Sequence, residues 1–308
     1  MGKLSQIELN MLKAIADLHK IPEGAYNIRA DGVSAGRNST EHIEIVSKTD
    51  KQGIDIIVNP GTKNESVHIP VIISKSGYEE LVYNDFFIGE DCDVVIIAGC
   101  GIHNSGCDNS KHDGVHTFHV GKRSRVKYVE KHYGGGEGTG GKIMNPQTVI
   151  YLEEGAYMEM DTTQIRGIDS AKRETTVHAG PGAEIVVLEK LMTHGSQSAV
   201  SDMTIHLNGD DSRGRVISRS VAQEDSTQVF HPNMEGNARC FGHVQCDTII
   251  MGNAKVSSIP AITANHVDAQ LIHEAAIGRI AGDQLLKLMT LGLSPEEAEE
   301  RILAGFLK

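Results

Sequence analysis

The chain has 308 residues, of which 39% are hydrophobic, only 4% aromatic and none Trp, while Gly supplies 33. Thick cores rely on large aromatics, so an interior of Val, Ile, Leu, Ala and Met fits narrow stacked layers better. A formal net charge of −12 argues against nucleic acid as the main partner, and no run of 18 apolar residues is present to span a membrane.

The opening residues Met1-Gly-Lys-Leu-Ser-Gln6 carry neither the apolar run of a secretory signal nor the Ser or Thr that myristoylation needs where Gln6 stands. The expected location is the cytoplasm. A helix follows. Ser5-Gln-Ile-Glu8 is a capping box, Leu4 can staple onto Leu9, and Leu9, Leu12, Ile15 and Ala16 keep helical spacing until Pro22 ends the pattern.

From Tyr26 to about residue 267, short apolar runs alternate with Gly, Asn and Asp turns. Ile54–Val58, Val67–Ile73, Val94–Ala98, Val126–Val129, Thr148–Leu152, Glu184–Leu188, Val216–Ser220 and Thr248–Met251 read as strands. A weak repeat runs through them. Ile88-Gly-Glu-Asp-Cys-Asp-Val94, Val120-Gly-Lys-Arg-Ser-Arg-Val126, Leu152-Glu-Glu-Gly-Ala-Tyr-Met158 and Ala179-Gly-Pro-Gly-Ala-Glu-Ile185 open 32, 32 and 27 residues apart. Met251-Gly-Asn-Ala-Lys-Val256 is a version shortened by one. Each has an apolar opening, a Gly turn and a small residue fit for a tight inward corner, the signature of a β-solenoid.

Five cysteines (Cys92, Cys100, Cys107, Cys240, Cys246) are an odd set, free for packing, metal binding or redox work, and 15 His accompany them. The densest metal-capable stretch is Cys100, His103, Cys107 and Asp108, followed by His112, Asp113, His116 and His119. It fits no standard zinc spacing, and on a strand His116 and His119 point to opposite faces. Cys240 and Cys246 share strand parity but lie roughly 20 Å apart, and His243 has the opposite parity. His273-Glu274 is a further pair of potential ligands. Gly136 to Lys142 matches G-x-x-x-x-G-K, but Ile143 replaces the Mg²⁺-binding hydroxyl and Pro146 forbids the helix, so this is a flexible loop between layers.

Beyond Asp268 the period returns to 3.6. Leu285, Leu288 and Met289 share one face, Gly292 sits as a C′ residue, and Ser294-Pro-Glu-Glu297 starts a second helix carrying Ala298, Ile302 and Phe306. The expected organisation is a helical segment 1–25, a β body 26–267 and a helical domain 268–308.

Gly242-His-Val-Gln-Cys-Asp247, Ile259-Pro260, Leu271-Ile-His-Glu-Ala-Ala276, Gly278-Arg-Ile-Ala-Gly-Asp-Gln-Leu285, Gly292-Leu-Ser-Pro-Glu-Glu-Ala298 and Gly305-Phe306 form an ordered series over about 65 residues. It resembles the C-terminal region of the SufB/SufD family of iron–sulfur cluster assembly scaffolds. Glu189-Lys-Leu-Met-Thr-His-Gly195 and Ser218-Arg-Ser-Val-Ala222 extend the likeness upstream. The resemblance implies a right-handed parallel β-helix with C-terminal helices that dock SufC, an ABC-type ATPase, through residues such as Gln284, Leu285, Leu288, Met289, Ile302 and Phe306. It also implies a transient cluster, of the 4Fe–4S kind, on Cys246 and Glu274. Cys100, Cys107 and His103 are added as candidate cluster or sulfur-relay ligands, with Cys240, His243 and His273 behind them.

SufB is longer, so the likeness is to a minimal SufB-like member pairing with a second copy of itself. It would receive sulfur from a donor, pass clusters to apo-proteins and itself catalyse nothing. The competing readings are a β-helix enzyme with His and Asp as acid–base groups, or a purely structural adaptor for the ATPase.

Overall fold

The computed structural model describes residues 4–308, apart from the side chains of 165 and 166. After α1 (Gln6–Ala16) come two hairpins, β1 (Ala25–Ala30) with β2 (Val33–Asn38) and β3 (Ile43–Ser47) with β4 (Gly53–Val58). The chain then winds through β5 (Lys63–Ile73), β6 (Glu79–Ile88), β7 (Asp93–His103), β8 (Ser110–Val120), β9 (Arg125–Gly135), β10 (Lys142–Met144) and β11 (Gln147–Leu152). It continues through β12 (Tyr157–Arg166), β13 (Ser170–Ala179), β14 (Glu184–Thr193), β15 (Ser198–Leu207), β16 (Arg213–Ala222), β17 (Thr227–Gly236) and β18 (Phe241–Ile250). Short β19 (Lys255–Ser258) and β20 (Ala261–Ala264) precede β21 (Gln270–Gly278), α2 (Gly282–Thr290) and α3 (Pro295–Phe306).

Successive strands fall alternately into two sheets. One runs β2-β1-β5-β7-β9-β12-β14-β16-β18-β21; the other carries β19 and β20, β17, β15, β13, β10 and β11, β8, β6, β4 and β3. Beyond the two hairpins all pairing is parallel. The result is the expected β-solenoid, of about 8 turns.

The repeat marks one corner of each turn. Cys92, Ser124, Ala156 and Ala183, the small residues of the repeat, are fully buried there. Two further turns, opening at Leu207 and Gly236, place Ser212 and Cys240 at the same corner. Leu207-Asn-Gly-Asp-Asp-Ser212 carries one residue more than the pattern before its small residue, and Gly236-Asn-Ala-Arg-Cys240 lacks the apolar opening, which hid both from the sequence pattern. Met251-Gly-Asn-Ala belongs to the opposite corner, between β18 and β19, so it is not a member of that series.

The Gly-rich stretch is a loop between layers, but a packed one. A Cβ on Gly136, Gly138 or Gly140 would lie 2.1–2.2 Å from backbone oxygens of Asn104, Gly106 and Asp108, and Gly138 and Gly140 donate to Asn104 and Gly106 at 3.1 and 3.0 Å. The solenoid also continues past residue 267. Gln270–Gly278, with its Ala275-Ala276 step, has little strand propensity, and its register on β18 decides the matter.

Both helical ends lie on the outer face of the sheet that holds β7 and β16. Ser5 caps α1 with the full capping box, and the helix ends at Asp17, whose φ is +53°. Its buried face is Met11, Leu12, Ile15 and Ala16, packed with Ile28 and Ile72; each of the larger side chains contributes about 1.5–3 kcal/mol. Gly99 makes this approach possible, because a Cβ there would lie 2.6 Å from the Ile15 carbonyl oxygen. Gly99→Ala is therefore expected to lift α1, seen as faster tryptic cleavage after Lys13 with little change in the unfolding of the solenoid. Cleavage at the wild-type rate would refute this. At the far end α3 buries Leu303 and Leu307 against Val221, Met192 and Ile249.

Candidate functional site

Strand alternation sends every second side chain into the bore. Near the repeat corner these are apolar and form the main core. Further along the strands they turn polar, with Glu80, Asn84, His112, His116, Glu130, His132, Thr162, Gln164, Arg173, Glu189, Ser201 and Ser218 all buried. Buried polar groups persist where they satisfy one another, and here they do so from layer to layer.

At the upstream end Arg29 Nη2 donates to Glu80 at 3.0 Å, and Glu80 meets His112 Nδ1 at 3.2 Å. Cys100 and His112 line one small cavity with His116, Glu130 and His132. Burial opposes charge on His112, but Cys100 and Glu80 beside it outweigh burial and push its pKa up to about 10. Burial lifts the Cys100 thiol above its ordinary value. Gly114, between His112 and His116 on β8, leaves room for both rings, each within 3.5 Å of where its Cβ would stand.

The next links lead from a neutral ring to a charged carboxylate. Asn84 faces His116 Nε2 at 3.3 Å, while His116 Nδ1 faces the Tyr128 hydroxyl at 2.8 Å. Tyr128 in turn donates to Glu130 at 3.1 Å. This arrangement suits a neutral ring, and burial pushes the pKa of His116 down to about 4. Arg173 donates to Glu130 at 2.6 Å, with His132 3.4 Å away. Burial alone would raise the Glu130 carboxyl, but Arg173 and His132 hold it well below the usual range. Downstream, Glu189 accepts from Ser201 at 2.7 Å and from Ser218 at 2.9 Å. Ser218 is the register neighbour of Cys246.

Cys246 faces the bore at its downstream end, 3% exposed. Its Sγ lies 3.7 Å from His273 Nε2 on the terminal strand. Burial, reinforced by Glu189 and Asp247, pushes the thiol up to about 11. Burial and the neighbouring His243 lower the pKa of His273. A neutral base thus stands beside a protonated thiol.

Glu274 and His243 face outward on the same two strands. His243 Nε2 lies 3.3 Å from the Glu274 carboxylate and, among the described residues, is buried without a hydrogen-bond partner. The terminal layer therefore carries Cys246 and His273 inside and His243 and Glu274 outside.

The other sequence candidates separate. Cys100 enters the bore, His103 pairs with Ser105 Oγ at 3.0 Å, and Cys107 is exposed on the following loop. His119 faces outward, apart from His112 and His116. Cys240 is a corner residue like Cys92. On the helices Gln284 and Met289 are exposed, Leu285, Leu288 and Ile302 are half-buried, and Phe306 packs into the cluster around Val221. Leu286 and Leu291, exposed by 60% and 76%, add an apolar surface that the sequence reading passed over.

The bore network was also missed, although the repeat spacing gives it away. Glu80 and His112, and likewise Asn84 and His116, stand 32 residues apart, while Cys246 and His273 stand 27 apart. Stepping polar residues by one turn finds these pairs.

Among the described residues no helix is long and apolar enough to cross a membrane. A family profile described as the SUF system FeS cluster assembly SufBD core domain matches residues 84–306. The chain is 28% identical over 255 residues to an iron–sulfur cluster assembly SufBD family protein of Methanocaldococcus jannaschii, covering 82% of this chain and 79% of that one. A relative of the same description from Pyrococcus horikoshii is 28% identical over 281 residues, 88% and 83% of the two chains. With the iron–sulfur cluster assembly protein SufB of Bacillus subtilis the identity is 29% over 161 residues, 51% of this chain and 34% of SufB. A solenoid with a thiol–imidazole pair in its last layer, matched over most of its length, belongs to the SufBD family of the iron–sulfur cluster assembly system.

Proposed function

We propose that this chain is a scaffold on which a transient 4Fe–4S cluster is built at the downstream end of the bore, and that it has no catalytic activity of its own. The observation that carries this reading is the Cys246–His273 contact of 3.7 Å in the terminal layer. Thiolate is the usual ligand of cluster iron. His273 accepts the Cys246 proton as iron arrives, while the His243 nitrogen and the Glu274 carboxylate, on the opposite face of the same strands, are placed to receive iron outside the bore rather than to ligate it beside Cys246. The cluster is cargo, formed from iron and from sulfide delivered by a donor, then passed to an apo-protein.

One copy supplies too few ligands. Among the described residues no strand pairs with the outer edge of β21, which carries exposed Ile272 and Ile277. A second copy added along that edge would bring a second set of Cys246, His273 and Glu274 to the same seam. Upstream, Cys100 beside the His112–Glu80 pair is the candidate sulfur carrier, joined to Cys246 by the polar interior. The exposed apolar face of α2, with Leu286 and Leu291, is the docking surface for a SufC-like ATPase, whose hydrolysis would open and close the seam.

The test is anaerobic reconstitution with iron and sulfide, followed by iron and sulfide analysis and Mössbauer spectroscopy. Stoichiometric cluster is expected in the wild type and in Cys107→Ala, with near-complete loss in Cys246→Ala. Equal cluster in wild type and Cys246→Ala would overturn the assignment.

A further inference from the structure

At the end of the bore opposite Cys246, the two hairpins and Tyr78 leave an open cup lined by Arg29, Arg37, Lys51, Ser34, Ser47 and Tyr78. In a chain of net charge −12 this concentration of cations is unusual, and among the described residues two of the cup's cations pair with no carboxylate. Lys48, also on the rim, is held by Asp55 and Asp85. Arg37 instead donates to neutral acceptors, Asn27 Oδ1 at 2.9 Å and Ser47 Oγ at 2.7 Å. Two of its five N–H groups are thereby used and the fork is fixed by Asn27, itself 3% exposed. Lys51 rests 4.4 Å over the Tyr83 ring and, among the described residues, pairs with no carboxylate. Arg29, deeper in the cup, has its Nε buried with no acceptor.

We propose that this cup binds a tetrahedral oxyanion, phosphate or sulfate, free or carried on a small metabolite. The donors approach from three separate segments, Arg37 on β2, Lys51 on the β3–β4 turn and Arg29 on β1, with hydroxyls among them. That spread suits an anion with oxygens in every direction. A planar carboxylate would be satisfied by a single guanidinium fork. Arg29 is also the partner of Glu80, which holds His112 beside Cys100. A bound anion therefore shares Arg29 with Glu80 and couples the mouth of the bore to its upstream thiol. The binding site stands whether or not the cluster reading does.

The experiment titrates inorganic phosphate into the full chain at constant ionic strength, followed by ³¹P line broadening and calorimetry, with sulfate and acetate as competitors. Saturable phosphate binding is expected, displaced by sulfate and not by acetate. Arg37→Ala and Lys51→Ala should each weaken it at least tenfold. Arg123→Ala, on the outer corner where Arg123 pairs with Asp91, should leave it unchanged. Glycerol phosphate binding more tightly than phosphate supports an organic ligand, and equal binding supports the free ion. Absence of saturable binding in the wild type, equal affinity in Arg37→Ala with a native circular dichroism spectrum, or displacement by acetate as effective as by sulfate would overturn the proposal.

Discussion

Arg173→Met is expected to lower the unfolding free energy by about 3–5 kcal/mol, the cost of leaving a buried charge without its partner. Arg173 is 8% exposed and Glu130 4%. The carboxylate takes the guanidinium at 2.6 Å, and the tyrosine hydroxyl and His132 alone cannot replace a full positive charge in the bore. Met fills a similar volume, so the loss is electrostatic rather than a cavity. The double variant Arg173→Met, Glu130→Gln should recover most of the loss, because the orphaned charge goes with it. Urea unfolding of the wild type, the two single variants and the double variant measures this directly. A loss below 1 kcal/mol in Arg173→Met, or no recovery in the double variant, would show that the pair is not what holds those layers together.

The second large effect is in pH. Below pH 6.5 the unfolded chain protonates His116, while the folded ring, with its pKa near 4, stays neutral. The unfolded state then binds more protons, so stability falls as pH drops from 6.5 toward 4, by about 3 kcal/mol from this group alone. His112 works in the opposite window. Its raised pKa of about 10 means that the folded state keeps a proton the unfolded chain releases above 6.5, so stability falls again as pH rises from there. Between them, these two histidines favour the fold most near pH 6.5. Glu130, held well below its ordinary 4.5, adds its own loss only in more acid solution. His116→Asn should flatten the limb between pH 6.5 and 4 specifically. An unchanged slope in that variant would remove His116 as its cause.

The solenoid was legible in the sequence because its corners demand particular residues. A fully buried small side chain after a Gly turn recurs wherever the chain bends inward, as at Ser124 and Ala156. Helix starts were legible for the same reason: the Ser5 and Ser294 capping boxes are local. Parity also separated Cys246 from His243 correctly. The Cys100–His103–Cys107 cluster dissolved because proximity in sequence along a strand end means little in a solenoid, where neighbours stand across the bore or one turn away. Cys100 on β7 meets His112 across the bore on β8 rather than His103, and Cys246 meets His273 one turn on. The His273-Glu274 dipeptide says nothing by itself; its strand, and the opposite directions of its two side chains, come from pairing with β18.

Most solenoids are modular, and their coils can be duplicated or removed because each contacts only its neighbours through similar apolar surfaces. The charged bore removes that freedom here. Glu130 and Arg173 stand 43 residues apart on successive coils, and Glu189 is shared by a serine across the bore, 12 residues on, and one from the next layer of its sheet, 29 residues on. Each coil thus fits only one predecessor and one successor, as in a combination lock. Deleting or doubling a coil strands a charge, so the length of the solenoid, and with it the span from Cys100 to Cys246, is fixed by the chemistry of its interior.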